Sequence, residues 1–181
     1  MTAISERANA HGMAMRPIIK PDITTADLPK IATRTPWYCA GCPHNSSTKL
    51  PDGEIVGMGI GCHSISGFLT PDTITNFTQM GGEGAFWIGR APFSKYHHSF
   101  QNIGDGTYAH SGYLGIRAAV AAGVNITFKI LYNGAVAMTG GQTVEGGQPP
   151  WVISRQLAAG GVVKIAVVSD TPDALLTGAK W

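Results

Sequence analysis

A chain of 181 residues is long enough to bury one substantial core and too short for two ordinary domains. A formal net charge of +2 without any Lys/Arg run argues against nucleic acid as a partner, and no apolar stretch of the sequence has the length needed to cross a bilayer. Met1 to Met15 is largely polar and lacks a secretory layout, and three cysteines, two of them in a CxxC, fit a reducing compartment and metal ligation better than a disulfide framework. A cytoplasmic location is expected.

In chain order, residues 1–34 show no clear periodicity and are interrupted by Pro17, Pro21 and Pro29, so they read as an arm or linker ahead of a domain spanning residues 35–181. The stretch from 35 to 65 holds Cys39, Cys42 and Cys62 with His44 and His63 close by, and Cys62 ends an expected strand, Ile55 to Ile60. Three thiolates suit zinc, completed by His44 or His63, or an iron–sulfur cluster needing a fourth cysteine. Pro71 to Gln79 is amphipathic, and Gly81-Gly82-Glu83-Gly84 follows it as a turn; its spacing is neither that of a dinucleotide fingerprint nor of a P-loop. Glu83 reads equally as a cofactor-ring contact or part of a surface turn. His97 and His98 are adjacent at a strand entry, where they point to opposite faces and cannot easily share one ion.

The run from Phe100 to Gln142 organises the rest. Phe100-Gln-Asn-Ile stops at Gly104-Asp105-Gly106-Thr107, a helix from Tyr108 to Ala122 ends at Gly123 as its C-cap, and an apolar run from Ile126 to Leu131 stops at Asn133. Leu114, Ala118, Ala119 and Ala122 are the expected sheet-facing positions of the helix. A strand, a helix and a second strand form a βαβ unit whose two turns lie on one edge of a parallel sheet, so Asp105 and Asn133 point into one crevice. An aspartate and an amide oxygen are hard ligands suited to Mg²⁺, which fills its octahedron with phosphate oxygens and water. Gly104 and Gly106 allow close backbone approach, and the following helix offers its positive end to an anion. A metal-bridged diphosphate is the natural occupant. His110, in the first turn after Gly-Asp-Gly, is placed either to meet a diphosphate or substrate carboxylate or to cap the helix. Beyond the glycine loop Gly140 to Gln148, Pro149-Pro150 opens a helix to Ala159, and Val162 to Ser169 reads as a last strand.

Gly-Asp-Gly, twenty-six residues, then Asn resembles the thiamine diphosphate signature, and Ala137-Met-Thr-Gly-Gly-Gln142 is similar to its version in 2-oxoacid:ferredoxin oxidoreductases. Within that group the sequence most resembles the indolepyruvate branch, from Trp37-Tyr-Cys-Ala-Gly-Cys-Pro-His44, through Gln79-Met-Gly-Gly-Glu-Gly84, to Tyr132-Asn-Gly-Ala-Val-Ala-Met-Thr-Gly-Gly-Gln142. The resemblance spans roughly Thr35 to Thr171.

That resemblance implies a three-layer α/β fold with a mostly parallel sheet, the diphosphate-binding domain of an enzyme that decarboxylates a 2-oxoacid on thiamine and passes electrons to ferredoxin, with release of an acyl-CoA. Mg²⁺ would be held by Asp105, Asn133 and the carbonyl of Ala135, while Gly104, Gly106 and Thr107 line the diphosphate and Thr139, Gly140 and Gln142 close over the cofactor. Gly61, Cys62 and His63 fall near the thiazolium, and Cys39, Cys42 and Cys62 would ligate a 4Fe-4S cluster. Two departures stand out: relatives usually carry Asp or Asn where this chain has Gly134, and a fourth cluster cysteine, expected nearer the C-terminus, is not among the 181 residues. The resemblance also implies partners, a pyrimidine domain and a gamma-type domain or subunit, and relatives whose cofactor domain runs beyond Trp181, so that this chain reads as a C-terminally truncated domain. The alternatives are a non-oxidative thiamine enzyme with structural zinc and a non-catalytic interaction subunit of the same fold.

Overall fold

Alternating apolar runs and helices produce one parallel sheet. The computed structural model describes residues 10–12 and 34–173, so most of the expected arm and the segment Leu175–Trp181 lie outside the described residues. Contacts divide the chain into two units, Met1–Arg34 and Thr35–Trp181, and the second holds the sheet.

Four strands form it: β1 (Val56–Met58), β2 (Ile74–Phe77), β3 (Ser99–Gly104) and β4 (Ile126–Leu131), in the order β2-β1-β3-β4. All three pairings are parallel. Strand β3 runs alongside β4 from Ser99↔Ile126 to Gly104↔Leu131, and β1 meets β3 at Val56↔Phe100 and Gly57↔Gln101. The amphipathic stretch after Pro71 is a 3₁₀ turn, Pro71–Thr73, followed by the edge strand β2, in keeping with the β-branched and aromatic residues Ile74, Thr75 and Phe77.

The helices are α1 (His44–Ser47), α2 (Ser66–Leu69), α3 (Ala85–Arg90), α4 (Asp105–Thr107), α5 (Tyr113–Ala122) and α6 (Pro150–Ala159), and a π-helical turn, Tyr108–Gly112, joins α4 to α5. They lie on both faces of the sheet. On one, the amide of Gly84 donates to Gln101 Oε1, and Ile103 packs with Tyr108, Ile116, Ile153 and Leu157, with Phe128 and Ile130 of β4 against them. On the other, Ser66 Oγ reaches Met58 Sδ, and Lys129 donates to the carbonyls of Ser47 and Lys49, drawing the cysteine-bearing segment onto the sheet. Each fully buried aliphatic side chain in such a core stabilises the fold by about 2 kcal/mol.

Several expectations change. The buried positions of α5 are Gly115, Ile116 and Ala119, whereas Leu114 is 63% exposed. Helix α5 crosses the turn after β2 so closely that a Cβ on Gly115 would stand 2.6 Å from the Glu83 carbonyl oxygen, so the closest approach selects glycine rather than leucine. The stretch Val162–Ser169 is also not a strand. Val163 and Val168 are each 93% exposed, and no strand of the sheet pairs with the segment. Its β-branched composition favours an extended backbone, but a strand exists only where a neighbour supplies the hydrogen-bonding ladder. Ala118 and Ala122, also expected on the sheet-facing side, are exposed, the strand expected over Ile55–Ile60 is confined to Val56–Met58, and the helix expected from Tyr108 opens with the π turn. The caps read from sequence are found: Gly123 adopts φ 64° behind α5, and Pro149 precedes α6 with Pro150 in its first turn.

Candidate functional site

Asp105 begins a helix directly after the last residue of β3, which places its carboxylate at the carboxyl edge of the sheet. It is 6% exposed. Oδ2 accepts from the amides of Gly134 at 2.7 Å and Asn133 at 3.3 Å, and Oδ1 accepts from Gly106 at 3.0 Å. These bonds join the two turns of the βαβ unit through one side chain. Gly134 has φ 71°, a left-handed conformation that lets its amide face the carboxylate. Asn133 folds back on its own turn, with Oδ1 accepting from the amide of Ala135 at 3.0 Å.

Around this turn lies a cavity of about 180 Å³ lined by Asp105, Tyr132, Gly134, Thr143, Val144 and Gln148 among others. The segment from 135 to 143 forms a small antiparallel hairpin, β5 (Ala135–Val136) with β6 (Gln142–Thr143), so the first part of the expected glycine loop is ordered pairing. Within it Thr139 Oγ1 accepts from Gln142 Nε2 at 2.7 Å, and Gly140 has φ 123°. Thr107 is buried, and Gly104 has open space where a Cβ would stand. The donor set suits a hard cation carrying a diphosphate. A carboxylate oxygen pair offers about four lone-pair directions, three of which are taken by amides here, and Asn133 Oδ1 retains one.

The cysteine constellation is built differently. Cys39 and Cys42 flank a turn closed by the Cys42 amide on the Cys39 carbonyl, and Asn45 Nδ2 donates to both cysteines' carbonyls. Cys42 Sγ lies 3.4 Å from His44 Nδ1, and the Tyr38 ring stands 5.4 Å from that of His44. Cys62 opens a 3₁₀ turn, Cys62–Ile65, behind Gly61 at φ 149°. The two segments meet, since Tyr38 Oη donates to the His63 carbonyl at 3.1 Å. The side chains do not converge: among the described residues no group of three or more His, Cys, Asp and Glu is placed to hold a metal ion, so this arrangement does not fit a cluster. His63 is 1% exposed with Nε2 unpartnered, and burial, reinforced by the charge of His44, lowers its pKa to about 4.

Glu83 is no surface residue. It is 0% exposed, Oε2 accepts from the Gly81 amide at 2.7 Å, Oε1 has no partner, and burial raises its pKa. Its sequence context gives no sign of this, because glycines on both sides suggest an open turn. His98 bridges strand entries, with Nδ1 on Glu54 Oε2 at 3.0 Å and Nε2 on Thr127 Oγ1 at 2.8 Å, which fits the loop-and-strand-entry reading. His110 sits in the π turn, with Nδ1 2.7 Å from Ser111 Oγ. The sequence does not announce that turn, and π turns of this kind often mark functional positions.

A parallel sheet whose carboxyl edge carries a pre-organised carboxylate between two glycine-rich turns defines a diphosphate-binding α/β domain. The family model described as thiamine pyrophosphate enzyme, C-terminal TPP binding domain, matches residues 59–170, more than half of the chain. This chain belongs to that family. Neither the curated proteins nor the solved structures gave a match. The matched residues include Cys62, Asp105 and Asn133 but not Cys39 or Cys42. Among the described residues no helix is long and apolar enough to cross a membrane.

Proposed function

We propose that this chain is the cofactor-binding domain or subunit of a 2-oxoacid:ferredoxin oxidoreductase of the arylpyruvate type, working in the cytoplasm. The observation that carries the reading is the Asp105 carboxylate clamped between Gly106 and the Asn133-Gly134 turn inside a thiamine pyrophosphate family match. Asp105, Asn133 and the Ala135 carbonyl hold Mg²⁺, Gly104, Gly106 and Thr107 line the diphosphate, and Thr139, Gly140 and Gln142 cover it. By the sequence resemblance Gly61, Cys62 and His63 would lie toward the thiazolium. Bound thiamine supplies the carbanion stabilisation that oxoacid decarboxylation requires. The chain's own work is to hold the metal on Asp105, which its amides keep in place, and to shield the diphosphate with the β5–β6 hairpin.

The oxidoreductase part of the reading is supported by sequence: Cys39, Cys42 and Cys62 occur with the oxoacid-oxidoreductase form of the loop, Ala137 to Gln142. In this reading the thiols join a 4Fe-4S centre only when a partner brings a further ligand, since their own arrangement does not fit one. The partners are a pyrimidine-domain polypeptide, a gamma-type polypeptide and ferredoxin, with CoA and the 2-oxoacid as reactants. A second reading is a non-oxidative thiamine enzyme whose cysteines bind zinc or nothing, and the same lack of convergence favours its metal-free form.

The deciding experiment is anaerobic co-purification of the full chain with its pyrimidine-domain and gamma-type partners, followed by thiamine, iron, sulfide and zinc assays on one sample. Thiamine together with iron and sulfide is the expected result. Thiamine with zinc, or with no metal besides Mg²⁺, sinks electron transfer and leaves the second reading.

A further inference from the structure

One buried titratable side chain has no part in the crevice around Asp105. Glu83 is 0% exposed, and three segments of the chain close on it. Its Oε2 accepts from the Gly81 amide at 2.7 Å, and a Cβ on Gly59 would stand 2.7 Å from its Cγ. Its carbonyl oxygen abuts Gly115 of α5. We infer that Glu83 is a positioning residue, whose carboxyl holds the turn at residues 59–62, beyond the end of β1, against the turn at residues 81–84. The inference rests on the proposed function for what the Cys62 turn does, and on the packing alone for how that turn is held.

A carboxyl group leaves water unfavourably unless hydrogen bonds replace its hydration. Here the replacement is partial: Oε1 has no hydrogen-bond partner among the described residues. Burial raises the pKa of Glu83 even though the backbone of Glu83 itself, Gly81 and Ile60 favours the charged form. A turn of glycines gives a polar side chain every opportunity to point outward, so a carboxyl kept inside without full satisfaction calls for a role in its surroundings.

That role follows from where its atoms lie. Gly59 is the first residue beyond β1, and the Glu83 carboxyl fills the space that a side chain at 59 would occupy. At interior packing density the carboxyl and the strand end cannot shift independently. Cys62 follows three residues on, opening a 3₁₀ turn behind Gly61 at φ 149°. Tyr38 Oη on the His63 carbonyl and Ser64 Oγ on the Gly61 carbonyl, at 2.7 Å, hold the later part of that turn, and Glu83 holds its entry. The Gly81 turn presses in the same way on the π turn, since a Cβ on Gly81 would stand 2.9 Å from Ser111 Cβ. Glu83 thus stands among the Cys62 turn, the π turn and α5, and fixes where the Cys62 thiol lies at the sheet edge.

The test reads the thiol itself. The reduced, metal-free full chain is treated briefly with N-ethylmaleimide, and labelling of each cysteine is quantified by mass spectrometry, with the exposed Cys39 as internal standard for the half-buried Cys62. Glu83→Ala should raise the Cys62 rate relative to Cys39 at least ~10-fold, because local opening governs access to a partly buried group. Glu83→Gln, which keeps the shape and an acceptor oxygen for the Gly81 amide, should stay within ~3-fold of wild type. Leu157→Ala, in the core cluster around Ile103, lowers overall stability and should leave the ratio unchanged. If Glu83→Ala does not fold, Gly59→Ala replaces it: the methyl would displace the Glu83 carboxyl, and the same rise is expected. A Cys62 rate that stays at the wild-type value, that rises equally in Leu157→Ala, or that Glu83→Gln fails to restore overturns the inference. Calorimetric titration of the wild-type chain with thiamine diphosphate and Mg²⁺ runs alongside. Failed cofactor binding with the expected labelling removes the proposed function and leaves Glu83 holding the turn; the converse removes the Glu83 assignment alone.

Discussion

Asp105 follows the last residue of β3, and Cys62 lies just beyond the end of β1, its neighbour in the sheet, yet the two positions are prepared to different degrees. The Asp105 turn is finished before any ligand arrives: one buried carboxylate accepts three amides from two loops. Around Cys62 the segments are in place, tied by Tyr38 to the His63 carbonyl and by Lys129 to the chain after α1, while the thiols remain free and unassembled. A carboxylate held by backbone amides is set in place once the βαβ unit folds. A site made from thiolates depends on the metal that draws them together, because without it nothing offsets crowding three sulfurs.

The sharpest way to break this contrast is Asp105→Asn, which keeps the shape of the turn and removes the charge. Thiamine diphosphate binding with Mg²⁺ should fall by at least ~100-fold in calorimetry while the melting profile stays close to wild type, since a charge-assisted metal contact is lost and most of the amide bonds survive. Asp105→Ala removes the acceptor for all three amides and should in addition cost about 3 kcal/mol in urea unfolding.

Next in size is Gly115→Ala. The new methyl would press on the Glu83 carbonyl at 2.6 Å, and a backbone atom cannot swing aside, so a loss of about 2 kcal/mol is expected in urea unfolding. A variant as stable as wild type would mean that α5 and the Gly81–Gly84 turn are less tightly set than they stand.

Glu83→Gln probes the same turn through pH. Burial holds the folded-state pKa of Glu83 above 4.5. The folded protein therefore retains a proton that the unfolded chain releases, so the contribution of Glu83 is fully present below pH 4.5 and is lost as pH rises through the folded-state value. Glutamine does not titrate. The stability of the variant relative to wild type should thus increase as pH rises above 4.5 in parallel urea titrations, and a constant difference would place the carboxylate in a polar setting.

The smallest effect sharpens the other side of the comparison. Cys39→Ser, at an exposed thiol, should leave thiamine diphosphate affinity unchanged and shift stability by less than about 0.5 kcal/mol in the metal-free chain, while lowering the iron content of the co-purified complex. A large stability loss without metal would show that the thiol already has a structural role.

The sequence by itself determined the parallel order of β3 and β4 and the meeting of Asp105 with the Asn133 turn. That is because a helix joining two strands forces both turns to one edge of a sheet, and the spacing from Gly-Asp-Gly to Asn is a local property of the chain. It also located the ends of α5 and α6, where Gly123 and Pro150 act within a residue or two. The tertiary structure alone decided which face of α5 is buried, that Glu83 is sealed beneath the Gly81 turn, and that Val162–Ser169 stands without a ladder. Each of these depends on what another, sequence-distant segment brings to within a few ångströms: the Glu83 carbonyl against Gly115, the end of β1 against the Glu83 carboxyl, and the strand that Val162–Ser169 lacks. Local pattern fixes what a segment can form, and only packing fixes which of its faces, and which of its charges, leave water.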